Sequence, residues 1–315
     1  MEDVAVKAEG ISKAYNGHRV LENISFQIEK GEVFGFIGPD GAGKTTLFRI
    51  LSSLILPEKG EAFVYGLNVV DKYRDVRNIT GYVAERFSLY RDLTVEENIR
   101  FFATVFGTTL SENYDLIKDV YRNLEPFKNR RAGRLSGGMK QKLALCCALI
   151  HRPQILLLDE STTGVDAVSR REFWEMLHKL KAGGMTIALT TSYMDEAAKC
   201  DRVALLYNGR IMKTGSPDGI ADSFGLDLIQ VRSQRLYAVK KELEKLPSAP
   251  SVSLFGDSVH VISGEKGLSL EDIEGFLKKR GFEDTQVERS RPGIEDCFLA
   301  LSRGYKKKGT DGEGY

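Results

Sequence analysis

The chain has 315 residues, 42% of them apolar, and 45 basic against 44 acidic side chains give a formal charge of +1. That length suggests about two domains with real cores. The balanced charge excludes the basic footprint of a nucleic-acid binder, and four cysteines with neither metal-ligand nor disulfide spacing fit a reducing cytosol.

Taken in chain order, the N-terminus MEDVAVKAEG lacks the apolar core of a signal peptide. Residues 4–8 and 20–28 alternate apolar and polar, as half-buried strands do. Lys30-Gly31-Glu32 reads as a turn, and Val33–Ile37 as a short apolar strand that runs straight into a glycine loop. A helix is expected over 44–54, then strands near 61–65 and 79–84. Residues 94–150 are mostly helical in pattern, with breaks at Pro126 and before Ser136. The longest apolar run, 143–150, is far short of the ~20 residues that cross a bilayer. A membrane role is therefore expected only through a partner.

Strand 155–158, helix 168–181, strand 185–190, helix 193–199 and strand 202–207 follow, and Asn208-Gly209 signals a hairpin turn. Strands alternating with helices imply a largely parallel sheet covered on both faces. Beyond about residue 222 the order becomes strand 226–232, helix 235–246, a hairpin around Gly256-Asp257, helix 269–280 and strand 284–289. That β-α-β-β-α-β order is the ferredoxin-like arrangement. A last helix over 292–302 puts Ile294, Phe298 and Leu301 on one stripe, and the Lys306-Lys307-Lys308 run opens a solvated, flexible tail over 304–315. The expected division is thus 1–221, with a helical insertion over about 88–150, then 222–303, then the tail.

Residues 38–46 read GPDGAGKTT. Gly38, Gly41, Gly43, Lys44 and Thr45 satisfy G-x-x-x-x-G-K-[ST] between a strand and a helix, the context that gives this motif its meaning. Glycines let backbone N–H groups approach phosphates, and the helix N-terminus adds the positive end of its dipole. Lys44 is expected on the β/γ-phosphates and the Thr45 hydroxyl on Mg²⁺. Pro39, Asp40, Ala42 and Thr46 complete the loop. Asp159 and Glu160 stand at the carboxyl end of an apolar strand, where parallel sheets place ligands. Asp159 is the expected Mg²⁺ partner, and Glu160 the expected general base for water attacking the γ-phosphate. Ser136, an N-cap residue, and Gly137-Gly138 open a helix that is apolar nearly all round from Leu143. These residues alone suit equally a second anion-binding helix start or an ordinary capped helix.

Together these motifs resemble the ATP-binding cassette (ABC) ATPases, and the resemblance covers roughly residues 4–220. LSGGMKQ is similar to that family's signature, which in the family caps the γ-phosphate held by a second subunit; Ser136, Gly137 and Gly138 are expected to do so here. Tyr15, in KAYNG, matches the aromatic that stacks on adenine, and Asp166, in TTGVD, the loop that crosses to the other subunit. The implied fold is a P-loop cassette, with a mostly parallel sheet, an antiparallel β subdomain and a helical subdomain, followed by the small α+β domain. RFSLYRDLTVEENI, SYMDEAAKCDRV and PGIEDCFLAL resemble the ATPase subunits of bacterial drug-type exporters.

Two positions depart from the family. Glu85 stands where the family has a glutamine touching Mg²⁺ and the attacking water. Ser192 stands where it has a histidine on the γ-phosphate. Asp40 and Ser161 also replace the commoner Asn and Pro. The implied function is ATP binding and hydrolysis with Mg²⁺, driving an exporter by dimer closure. Its implied partners are a separate membrane permease, on whose cytoplasmic face the chain docks, and a second ATPase subunit. Two alternatives stand beside it: a soluble ABC ATPase acting on nucleic acid or ribosomes, and a weakly hydrolysing regulatory subunit, which Glu85 and Ser192 would suit.

Overall fold

The computed structural model describes residues 3–223, 228–246, 251–262 and 268–310. They divide into two compact units, Met1–Thr214 and Gly215–Tyr315. The second unit thus begins at Gly215 rather than at residue 222. The reason is a short helix, α8 (Pro217–Ser223), which packs on the last helix α11 (Ile294–Thr310), and whose Asp222 pairs with Arg291 just ahead of that helix.

In the first unit, β1 (Val4–Tyr15) and β2 (His18–Glu29) form a long antiparallel hairpin. Asn16 and Gly17 turn it at φ 50° and 83°, the left-handed pair a tight hairpin requires. β4 (Lys59–Val64) pairs with β1, and β5 (Leu67–Asn68) with β4, closing a four-stranded antiparallel sheet.

The second sheet carries the site. It comprises β3 (Val33–Ile37), β6 (Thr80–Val83), β7 (Ile155–Asp159), β8 (Thr186–Thr191), β9 (Arg202–Tyr207) and β10 (Arg210–Gly215), in the order β10-β9-β3-β8-β7-β6. The strands from β9 to β6 run parallel. β3, β7 and β8 are buried at every residue, as expected of strands covered on both faces. Between the two sheets, the ring of Phe36 packs edge-on to Phe26 and Phe48 at centroid distances of 4.8 and 5.7 Å. Phe48 belongs to α1 (Lys44–Leu51), so this core fixes the helix that follows the glycine loop. A short helix α2 (Tyr73–Ile79) leads into β6.

The insertion holds α3 (Val95–Val105), α4 (Tyr114–Tyr121) and α5 (Gly137–Leu149), with two short 3₁₀ turns, Glu125–Phe127 and Ala132–Arg134, between α4 and α5. A capping box of Thr94 and Glu97 starts α3. Fully buried Asn98 holds the approach to it, accepting from Tyr90 N–H at 3.0 Å and donating to the Tyr90 carbonyl at 3.0 Å. α6 (Ala167–Ala182) and the single turn α7 (Met194–Ala197) flank β8.

The second unit runs β11 (Leu228–Arg232), α9 (Leu236–Leu243), β12 (Ser251–Phe255), β13 (Ser258–Ile262), α10 (Leu270–Lys278) and β14 (Gln286–Ser290). Its sheet is wholly antiparallel in the order β12-β13-β11-β14. Ile229, Val231, Val259 and Val261 face Val239, Leu243, Ile273 and Leu277 of the two helices. The start of the strand expected from 226 lies outside the described residues. α11 is helical to Thr310, where a tail was expected from 304; lysines are good helix formers and suit the negative end of the helix dipole. Its buried residues include Asp296, Cys297, Phe298 and Ser302, a different set from the expected Ile294-Phe298-Leu301 stripe, because Asp296 reaches His260 Nδ1 at 2.9 Å.

Candidate nucleotide-binding site

The glycine loop leaves the carboxyl end of β3, in the middle of the parallel sheet. Gly41 and Gly43 adopt φ 79° and 100°, a region open to glycine and costly to side chains. A Cβ on Gly43 would fall 2.6 Å from the Val20 carbonyl oxygen, and one on Gly38 only 2.1 Å from that of Leu206. The loop is therefore wedged between backbone segments with no room for side chains at those two points. Lys44 is buried and donates to the Gly38 and Pro39 carbonyls at 2.7 and 2.9 Å, so its ammonium is folded back over the loop.

Asp159 ends β7 and is fully buried. Its Oδ1 accepts from Thr45 Oγ1 at 3.1 Å and from Thr190 Oγ1 at 2.7 Å, and its Oδ2 accepts from Tyr82 Oη at 3.2 Å. Burial pushes its carboxyl above the usual range, and the hydrogen bonds from Thr190, Thr45 and Tyr82 oppose that rise. The Tyr82 phenol is raised as well, by burial first and by Asp159 beside it second. Thr45 and Asp159 are hard oxygen donors. That pair suits Mg²⁺, which takes one or two carboxylates and fills its octahedron with water and phosphate oxygens. Among the described residues no cluster of three acidic, histidine or cysteine side chains forms an all-protein metal cage.

Glu160 follows at φ 48°, a left-handed conformation uncommon outside glycine. Its N–H donates to Thr190 Oγ1 at 2.9 Å, and Thr163 Oγ1 donates to its Oε2 at 3.1 Å. Its Oε1 lies 2.9 Å from Lys44 Nζ, with both side chains almost wholly buried. Lys44 and Glu160 thus neutralise each other inside the site.

A cleft of about 630 Å³ opens over these groups. Asp40, Gly41, Gly43, Lys44, Thr45, Thr46, Glu85, Glu160 and Ser192 all line it. The fold therefore gathers residues more than 150 positions apart, including both that depart from the expected pattern, Glu85 and Ser192. Val20, Thr163 and Tyr193 also line the cleft and were not expected from sequence. Nor were Thr190 and Tyr82, the partners of Asp159. The signal for Thr190 is its register opposite Asp159 in neighbouring strands, which needs the strand order to be seen. Gly38 and Ala42 are buried members of the loop and do not line the cleft. Tyr15 is not among the residues lining this cleft and is 43% exposed at the end of β1.

Ser136 caps α5 by accepting from Met139 N–H at 3.4 Å. Ser136 and Gly137 are exposed and take no part in this chain's cleft, while Gly138 is buried with no space for a Cβ beside Ser169. Asp166 caps α6, accepting from Ser169 N–H at 2.9 Å, and is exposed.

A glycine loop on the central parallel strand, a buried lysine and an acid pair at the end of β7, one strand removed across β8, define a P-loop nucleotide-binding protein. The ABC transporter family profile matches residues 21–163. The Nod factor export ATP-binding protein I of Sinorhizobium fredii is 35% identical over 306 residues, 95% of this chain and 86% of that protein. The probable multidrug ABC transporter ATP-binding protein YbhF of Escherichia coli is 38% identical over 221 residues. That match takes in 69% of this chain and 38% of the relative's length. Among solved structures, the dimeric post-hydrolysis state of an ATP-binding cassette bound to ADP and Pi superposes with TM-score 0.61. It is 26% identical, and the match covers 67% of this chain and 98% of that one. The chain belongs to the ABC transporter family, as one of its ATP-binding cassette ATPases.

Proposed function

We infer that the chain is the ATP-hydrolysing subunit of an exporter, docked on a separate membrane permease and paired with a second ATPase subunit. The observation that carries this reading is the convergence of Lys44, Thr45 and Glu160 on one cleft at the carboxyl ends of β3 and β7, with Asp159 buried directly behind Thr45. The loop N–H groups and Lys44 bind the phosphates of ATP. Thr45 and Asp159 would hold Mg²⁺, and Glu85, in the wall of the same cleft, is assigned as a further oxygen ligand for it. Once bound, that ion would supply positive charge against the phosphates. Glu160 takes the proton of the attacking water. For that it must leave Lys44, whose ammonium transfers from Glu160 and the loop carbonyls to the phosphates when ATP enters.

The exposed Ser136-Gly137 start of α5 is free to meet an ATP held by the partner subunit. The relatives' names speak for export, and no helix among the described residues is long and apolar enough to cross a membrane. A peripheral position on the cytoplasmic side, reached through the permease, follows from this reading. Tyr15 is assigned to adenine, and the C-terminal unit, which carries no second phosphate loop, to pairing or regulation. The test is affinity purification from membranes of the native host. Recovery of a multispanning membrane protein that raises the ATPase rate is expected. Recovery of ribosomes or nucleic acid instead would overturn the exporter assignment.

A further inference from the structure

The base-bearing turn is tied to a buried acid that the chemistry above does not use. Glu196 sits on α7, 1% exposed, and no cation among the described residues forms an ion pair with it. Its Oε2 accepts from Thr162 Oγ1 at 3.1 Å and its Oε1 from Trp174 Nε1 at 3.0 Å. Both donors are themselves buried. A carboxylate in such a place is costly unless its oxygens are satisfied, and these neutral donors compensate it only in one geometry.

That geometry joins three pieces of the site. Thr162 stands two residues after Glu160, in the turn where Thr163 N–H also donates to the Glu160 carbonyl at 3.1 Å. Trp174 belongs to α6, which begins just after Asp166. α7 follows directly on Ser192 and Tyr193, both in the cleft wall, and Tyr193 N–H is held by Thr191 Oγ1 at 3.0 Å. One side chain therefore fixes the Glu160 turn against the segment that carries Ser192. The left-handed backbone at Glu160 needs such external support, because it is intrinsically strained.

We propose that Glu196 is a positioning residue for ATP hydrolysis: through Thr162 it holds the turn that aims the Glu160 carboxylate at the attacking water. It touches neither nucleotide nor water. The inference rests on Glu160 being the general base, and its test separates the two. Thr162→Val is nearly isosteric and removes only the hydroxyl that meets Glu196. It should lower kcat about ten- to a hundredfold, the scale of a ~1 Å misplacement, and leave the KM for ATP unchanged at temperatures where the variant stays folded; its melting temperature should fall, because Glu196 Oε2 is then buried without its donor. Glu196→Gln keeps an acceptor for Trp174 and a partner for Thr162, so it should retain most activity, while Glu196→Leu should lose as much as Thr162→Val. In a Glu160→Gln background, labelled-phosphate release over hours should show no further loss from Thr162→Val. Wild-type turnover by Thr162→Val would overturn the proposal, as would an equal fold loss in both backgrounds. Should Glu160→Gln itself turn over at the wild-type rate, the base assignment would fail instead.

Discussion

At the scale of single residues, each buried charge of the site is met by partners within the protein. Lys44 is compensated by Glu160 and two carbonyls, and Asp159 by three hydroxyls. Lys44→Ala removes the phosphate contact and leaves Glu160 buried without its cation. It should abolish tight MgATP binding, measured by calorimetry, and lower stability by about 3 kcal/mol, as breaking a buried pair does. Asp159 behaves in the opposite way. Burial raises its carboxyl, so the folded state holds this proton more tightly than the unfolded chain. Its contribution to stability is present at low pH and is lost as pH rises from the unfolded value of about 3.9 through the raised folded one. At neutral pH the buried charge is therefore a cost. Asp159→Asn keeps acceptors for Thr45 and Thr190 and can donate to the Tyr82 oxygen. It should raise the melting temperature of the nucleotide-free protein, yet remove Mg²⁺-dependent turnover. A lowered melting temperature would show that the three hydrogen bonds outweigh desolvation.

At the scale of elements, most of the strands and helices are legible because each carries a strong local pattern. Val33–Ile37 and Ile155–Asp159 are apolar at nearly every position, and the strand–glycine loop–helix sequence leaves little latitude between them. What was missed has weaker local signals. The strands expected over 4–8 and 20–28 run on to Val4–Tyr15 and His18–Glu29, because the polar residues on either side of Asn16-Gly17 hide how far they extend. α2 and α8 are each one to two turns long with few buried residues, so no apolar stripe announces them. The site was half legible for the same reason. Lys44, Thr45, Asp159 and Glu160 belong to motifs written along the chain. Thr190 and Tyr82 reach Asp159 only because β8 and β6 flank β7, a fact of sheet order that no local pattern contains. The glycine loop offers a test at this scale. Gly43→Ala places a Cβ 2.6 Å from the Val20 carbonyl oxygen in a left-handed conformation. It should weaken ATP binding at least tenfold and cost about 1–2 kcal/mol of stability. Unchanged affinity would mean that the loop relaxes freely.

At the scale of the whole molecule, two divisions of labour follow. The first unit contains every residue assigned to the nucleotide, and its boundary falls after Thr214. A fragment ending there should bind MgATP with the affinity of the full chain. Loss of binding by a folded fragment would show that the second unit supports the site. The other division is between subunits. On the proposed reading of a head-to-tail pair, Lys44, Glu85, Glu160 and Ser192 would serve the ATP held by this chain, and Ser136-Gly137-Gly138 the ATP of the partner. Glu85 adds negative charge beside a triphosphate, and Ser192 is too short to reach as an imidazole would and cannot be cationic. A consensus partner would therefore make one strong and one weak site, the strong one using this chain's signature. The chain alone should turn over slowly, and Ser192→His with Glu85→Gln should raise the rate. Fast turnover by the pure homodimer, unimproved by that double change, would show that no second kind of ATPase is needed.

The central claim is that this cleft hydrolyses ATP with Glu160 as its base. The most direct test is steady-state phosphate release by Glu160→Gln beside wild type, with MgATP binding confirmed on the same samples. The expected result is retained binding with turnover lowered about 10²–10⁴-fold, the range of a lost general base. Equal turnover in the two proteins would contradict the account.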